Sequence, residues 1–518
     1  MRPNVLGRSL FLTLFRCLIL YGATTAAAIL LLISAAWIPG RAIRENMISS
    51  ANYFENKPFY GSSFLDNDIF RYDTYADETL LSIAWYLDAE HPLKSVMQAM
   101  FFEDLNDMQH TGFYEAIVHD RPANTQYIRY WHGSVLPVRV FHLFGDIRGL
   151  FKLNAILFVL LTAALALLLW KKQRRAELVA FVISLLVVNP FAVPFTLEYT
   201  WMFLWMLCMS ITVVVLGDRE HFPYWNDFFL VNGMLTVYWD FLTTETITLL
   251  IPLLLLLSIR EPHSSNRDNR LFAFRSCLMW GVGYVGMWVT KWVMASLVLG
   301  ENVMPYVTEH IQERLLGHPK AAWYVVAFSA IRRNLKNLFP WCFGTAGAAV
   351  GMVIVFLLIY LTYLFHRDCI DWGRIGLYAL LGMIPYIRYM VLANHSYLHF
   401  FFTYRAQIAT IFALGLIVCE VVDWEALHTS KKGREQSMIK KVNIKTTIQD
   451  YKKNKENYGK VAIYDIAHTT IIREGSEEDW LSLRLEVEKA NVDGEVYHLV
   501  IVPNSENQIR SFSLGARI

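Results

Sequence analysis

The sequence predicts an all-α polytopic membrane protein of about ten transmembrane helices, with amphipathic helices in its external loops and a small C-terminal cytoplasmic α+β domain. Three observations predict this. Of 518 residues, 55% are hydrophobic and only 18% charged, a composition far more apolar than that of soluble domains. Long apolar runs recur, and Lys/Arg clusters mark alternate loops between them. After residue 422 the apolar runs give way to a polar stretch and then to short alternating segments. The net charge of +2 and the scattered basic clusters exclude nucleic acid as a partner. The six cysteines lie in or beside apolar segments with no CxxC pair, so neither a disulfide framework nor a cysteine metal site is expected.

Residues 10–37 form the first span, longer than a secretory h-region, although Ser34-Ala35-Ala36 imitates a cleavage site. Arg2, Arg8 and Arg16 precede it, so the N-terminus is expected inside and residues 38–149 outside. The span at 151–170 returns to Lys171-Lys172-Gln173-Arg174-Arg175, the strongest basic cluster between any two spans. A hairpin of spans at 178–194 and 201–216 turns outside at Glu198, and the next, at 228–238 and 247–259, turns at Asp240 and Glu245. Arg260, Arg267, Arg270 and Arg275 mark an internal loop, a span covers 277–299, and residues 301–340 lie outside. The span at 343–365 leads inward to His366-Arg367-Asp368. The last hairpin, 375–386 and 401–422, turns through His395 and His399. Both termini are then inside, and the expected setting is a bacterial plasma membrane, although an endoplasmic reticulum membrane obeys the same charge rule.

Domain limits follow from the composition. Residues 1–423 are the membrane domain with its large external loop 38–149, residues 424–459 a basic polar linker, and residues 460–518 a small cytoplasmic domain. In that tail Leu481, Leu483, Leu485 and Val487 alternate with polar residues, and a second strand runs over 496–502 to Pro503. It has no nucleotide-binding glycine loop, and docking or regulation is its expected role. Two outer stretches show helical amphipathic spacing: 93–108, through Leu93, Met97, Phe101 and Met108, and 324–338, through Tyr324, Phe328, Ile331 and Leu335. Their apolar faces fit either the bilayer surface or neighbouring loops.

Ionisable residues collect on the outer face: Asp66-Asn67-Asp68, the run from Arg71 to Thr79 that includes Asp77 and Glu78, then Glu198, Asp240, Glu245, Lys291, Arg388, His395, His399 and Arg405. A charge in or beside a span is costly unless it is paired or lines a wet cavity. Carboxylates beside cations, outside and next to lipid, suit glycosyl transfer from a lipid phosphate. A carboxylate takes the proton of an acceptor hydroxyl, while cations and His stabilise the departing phosphate. Arg388 and Arg405 suit phosphate oxygens, with Lys291 as a point charge and His395 or His399 as donors. Glu198, Asp240 and Glu245 could orient sugar hydroxyls, as could Tyr130, Trp131 and His132, which equally suit an interfacial aromatic anchor.

With its first span, long external loop, early acidic Ala76-Asp77-Glu78, amphipathic loop helices and about ten spans, the chain resembles the GT-C superfamily of membrane glycosyltransferases over roughly residues 8–423. The resemblance implies a polyprenyl-phosphate sugar as donor and a glycan, lipid or protein acceptor. It also implies Asp77 as general base and Glu78 as its neighbour or as a metal or acceptor contact. Asp66 and Asp68 form a rival pair that could hold a divalent cation (Mg or Mn), or else a simple acidic turn. Two other readings use the same residues: a transporter or flippase for a lipid-linked or anionic solute, and an acyl- or phosphotransferase with His132 or His395 as base. The transporter requires a midplane site open to both sides, and no convincing internal repeat is present.

Overall fold

In the computed structural model the described residues are 3–61, 67–104, 112–217, 222–260, 265–317, 321–367, 370–423 and four C-terminal strands. They divide into two compact units, Met1–Val422 and Asp423–Ile518.

The first unit is helical. The long α1 (Pro3–Ala36) leads into the long loop of residues 37–146, which holds α2 (Gly40–Phe54), α3 (Thr74–Trp85), α4 (Pro92–Gln98), α5 (Phe113–Val118) and α6 (Val135–Phe141). Two short strands in this loop, β1 (Met100–Phe101) and β2 (Thr125–Gln126), pair antiparallel. There follow α7 (Ile147–Lys171), α8 (Arg175–Val187), α9 (Leu197–Leu216), α10 (Trp225–Trp239), α11 (Ile247–Arg260) and α12 (Asn266–Leu299). The second half contains α13 (Met304–Leu315), α14 (Trp323–Lys336), α15 (Gly344–Leu364), α16 (Trp372–Gly382), α17 (Ile384–Val391), α18 (Ala393–Leu398), α19 (Phe400–Thr403) and α20 (Ile408–Val421).

Among the described residues six helices are long and apolar enough to cross a membrane: Thr13–Ala36, Ile147–Lys171, Leu197–Leu216, Asn266–Leu299, Trp341–Leu364 and Phe400–Val421. The other four expected spans are the shorter α8, α10, α11 and α16, of 13, 15, 14 and 11 residues. Their ends are set by local signals. Asn189, in a left-handed conformation, stops α8 ahead of the Pro190–Phe195 turn, and Asp371 caps α16 by accepting the Arg374 amide. Caps also open the long helices. Asp146 accepts the amides of Arg148 and Gly149 at the start of α7, and Ser265 accepts the Asp268 amide at the start of α12.

The helix expected over 93–108 is shorter than its periodicity suggests. It ends at Gln98 because Ala99 turns left-handed (φ 50°) and Lys291 donates to the carbonyls of Val96 and Met97, which would otherwise continue the helical ladder. Residues 105–111 lie outside the described residues. The second amphipathic stretch is α14, with Ala327, Ala330 and Asn334 buried and Tyr324, Phe328 and Leu335 exposed.

The core forms two clusters. One joins α7, α8, α9, α11, α16 and α20 through residues such as Phe181, Phe203, Leu254 and Phe412. The other joins α1, α2, α3 and α6 to α10 and α12 through Ala35, Met47, Leu81, Val138 and Met287. The α10–α12 contact depends on two glycines: a Cβ on Gly233 would overlap the Trp280 carbonyl, and one on Gly283 would overlap the Leu230 carbonyl. Small residues let the two backbones meet in the way membrane helices pack closely.

In the second unit β3 (Val461–Asp465) pairs antiparallel with β4 (Thr470–Gly475), and β5 (Leu483–Lys489) with β6 (His498–Pro503). The last two coincide with the alternating runs.

Gly283→Val is expected to destabilise the protein by about 1–3 kcal/mol or more through overpacking, whereas Gly281→Val, with no atom within 4 Å of its Cβ position, stays within about 1 kcal/mol of the wild type. Thermal melts in detergent or nanodiscs compare the two.

Candidate functional site

The site is organised by the first turn of α3. Asp73 is its N-cap and accepts the Ala76 amide at 2.9 Å. One turn on, Asp77 accepts the amide of Leu197, the first residue of α9, at 2.6 Å. That bond brings Glu198 next to Asp73, and the two carboxyls share a hydrogen bond, which requires one of them to carry a proton.

Asp73 and Glu198 form one wall of a cavity of about 230 Å³. Facing them are two guanidiniums, Arg129 and Arg314, and two imidazoles, His395 and His399. Tyr60, Tyr75, Tyr127 and Tyr130 complete the polar lining. Arg129 lies over the Tyr127 ring at 4.2 Å, and Arg314 pairs with Glu313 at 3.1 Å. The two imidazoles lie 4.7 Å apart, centroid to centroid. Among the described residues, several buried atoms of this lining have no hydrogen-bond partner: Arg129 Nε, Arg314 Nε, His395 Nδ1 and His399 Nδ1. Buried polar atoms are almost always satisfied, so such a convergence on one cavity is what a polar ligand would complete.

Two apolar grooves flank it. One, of about 210 Å³, shares Arg129, Tyr130 and Arg314 with the polar cavity and continues over Val285, Trp288, Trp292 and Ile311 of α12 and α13. The other, of about 620 Å³, is walled by Phe54, Phe70, Phe151, Phe191 and Phe195 and has Lys57 and Asp77 in its lining. Lys57 Nζ lies 3.2 Å from the Tyr53 ring centroid, and burial lowers its pKa to about 8. Residues of α3 line both the polar cavity and this larger groove.

Burial raises the Asp73 carboxyl to about 6, against the amide hydrogen bonds that favour its charge. Burial also holds Asp77 well above the carboxylate range, despite its bond from Leu197. Asp240 is raised to about 7, first by burial and then by the charge of Glu245.

The residues expected from the sequence fall into distinct groups. Glu198, His395 and His399 line the polar cavity, and Asp77 lines the larger groove. Glu78 is buried beside Asp77 and lines none of these three cavities. Asp240 accepts the Thr243 amide and hydroxyl, with Oδ2 unpartnered, near enough to Glu198 to act on its charge. His132 contacts the Tyr127 carbonyl at 2.9 Å and packs on Phe241, behind the lining.

The three cations expected to bind phosphate are occupied otherwise. Arg388 pairs with Glu245 at 2.9 Å, both nearly fully buried, and also donates to Ser396 Oγ and the Leu242 carbonyl. Arg405 donates to the carbonyls of Phe401 and Ile69 and lies against Tyr199 and Tyr404. Lys291 is the cap of α4. Asp68 pairs with Arg71 at 2.9 Å, and Asp66 lies outside the described residues. Among the described residues no group of three or more His, Cys, Asp or Glu could hold a metal ion.

The cavity cations Arg129 and Arg314, together with Asp73 and Lys57, were not singled out by the sequence argument. Signals for them exist: Asp73-Thr74 ahead of an apolar helical run is an N-cap pattern, and Met304-Pro305 opens the amphipathic α13 that carries Arg314. Comparison with family models, curated proteins and solved structures finds no match to this chain.

Two predictions follow from these environments. The pKa of Asp73 is raised on folding, so the native state binds the extra proton between about pH 4 and 6. Stability is therefore expected to fall by up to about 3 kcal/mol as pH rises through that window, and Asp73→Asn flattens the dependence in melts taken from pH 4 to 7. Arg388→Met leaves Glu245 buried without its partner and is expected to cost about 3–5 kcal/mol, whereas Arg388→Met combined with Glu245→Gln recovers much of the loss.

Proposed function

We propose that this chain is an integral membrane glycosyltransferase of the GT-C kind, transferring a sugar from a polyprenyl-phosphate donor to a cell-envelope acceptor at the external face. The observation that carries it is the polar cavity, in which carboxyls, guanidiniums and unpartnered imidazole nitrogens converge, joined through Arg129 and Arg314 to an apolar groove on α12 and α13. In this reading the polyprenyl chain follows the groove. The donor phosphate sits against Arg129 and Arg314, and the sugar reaches Asp73, Glu198 and the two His residues. The chain passes the membrane about ten times, counting the short helices, with both termini and the C-terminal domain inside a plasma membrane.

The chemistry follows from the charges. An acceptor hydroxyl oxygen forms a bond to the anomeric carbon, and its proton passes to a carboxylate. The anomeric bond to the phosphate oxygen breaks, its electron pair leaving on the phosphate. Fixed guanidiniums stabilise that charge without reorganising, and they do so more strongly in a buried site than in water. Asp77 is the base: its raised pKa makes it a better proton acceptor than an exposed carboxylate, and its bond from Leu197 holds one oxygen in place while leaving the carboxyl at the groove wall. Asp73 and Glu198, sharing one proton, hold sugar hydroxyls.

Radiolabelled sugar transfer from polyprenyl-phosphate donors, in membranes carrying each variant at matched expression, tests the reading. Asp77→Asn is expected to lose transfer about 10²–10⁴-fold, and Arg129→Gln to lose it with little effect on the melting temperature. Transfer that survives in Asp77→Asn and is lost in Asp73→Asn moves the base to Asp73. No transfer by the wild type from any donor of a broad panel overturns the proposal.

A further inference from the structure

The larger apolar groove shares no lining residue with the polar cavity or with the groove that receives the donor chain, while Asp77 on its wall is near enough to Asp73 and Glu198 of the polar cavity to act on their charge. Its walls come from α2 (Phe54), the loop before α3 (Phe70), the first turn of α7 (Phe151) and the turn Pro190–Phe195. Two of its rings are open at the surface, Phe191 at 69% and Phe195 at 49% exposure. Below it α7 is one of the six helices long enough to span a membrane, and that helix exposes Ile156, Val159 and Leu160. The mouth of the groove is thus continuous with a surface of apolar side chains, where lipid chains and not water are the natural neighbour. Its lining holds one cation, Lys57, and one carboxyl, Asp77, near enough to act on each other's charge.

A water-soluble glycan or a peptide has little to gain from five phenylalanine rings, whereas an acyl chain matches them. The single ammonium in the lining matches an anionic headgroup. We infer that the acceptor is a phosphate-headed membrane lipid, its acyl chain between Phe191, Phe195 and Phe151, its phosphate at Lys57 and its headgroup hydroxyl at Asp77. This rests on the glycosyl-transfer reading and names the substrate class of its second site. The hydroxyl oxygen bonds to the anomeric carbon, its proton goes to Asp77, and the polyprenyl phosphate leaves.

The test uses the full chain in phosphatidylcholine vesicles containing a photoactivatable phosphatidylglycerol. Crosslinks are expected on the segments 53–57 and 191–195. Ala192→Trp, which fills the groove, and Phe191→Asp, which charges its mouth without touching the core, both lower them by at least about tenfold. Crosslinks on α15 stay unchanged. Equal labelling of the wild type and both variants, or no labelling of the two segments, overturns the inference. In the transfer assay, label from the donor is expected in extractable phospholipid and falls in both variants. Transfer only to a water-soluble acceptor, unchanged in both variants, overturns the lipid acceptor and leaves the glycosyl-transfer reading standing. No transfer from any donor overturns that reading and the acceptor role with it. Lys57→Gln is expected to abolish the preference for phosphatidylglycerol over a photoactivatable phosphatidylcholine, and an unchanged preference overturns the assignment of the phosphate.

Discussion

The bond from the Leu197 amide to Asp77 ties the long loop between α1 and α7 to the membrane helices. The first amides of a helix have no partner within it, and here the partner comes from a helix about 120 residues earlier in the chain. By meeting that need, Asp77 fixes the start of α9 against the start of α3 and draws Glu198 alongside Asp73. Removing the bond would leave a buried amide and a buried carboxyl unmatched at once. The polar cavity, the larger groove and the carboxyl cluster are all referenced to this contact.

Around it, the buried charges divide by what they already hold. Arg388, Arg405, Lys291 and Arg139 are struts. Each donates to backbone carbonyls or to a buried carboxylate, and Arg139 joins the carbonyls of Ala84 and Ile38 across α3 and the end of α1. A full-length arginine or lysine reaching a carbonyl ladder satisfies both itself and the irregular backbone beside it, which is how a loop can be buried at all. Arg129 and Arg314 differ in place: both line the polar cavity, which none of the four struts reaches.

The long apolar helices were legible because twenty or so uninterrupted apolar residues admit few other folds. The division of cations into struts and cavity groups was not legible. Arg388 and Arg129 look alike in one dimension, and only the folding of residues 242–245 against α17 separates them. The helix at 93–108 failed for the same reason, since its early end depends on Lys291, nearly two hundred residues away. The carboxyl at the polar cavity was not legible as a wall, because the partner that makes it one, Glu198, belongs to another hairpin.

The brevity of α8 bears on the membrane itself. Thirteen residues rise about 20 Å, against a hydrocarbon layer of about 30 Å. Yet α8 exposes Val179, Val182, Ile183 and Leu186 outward and is followed at once by the Pro190–Phe195 turn with its bare rings. If α8 crosses the membrane, as the proposed ten-span topology requires, a bilayer meeting so short a helix thins to match it. The leaflet beside Phe191 is then a local depression, and a lipid drifting into it arrives with its headgroup already lowered toward the protein.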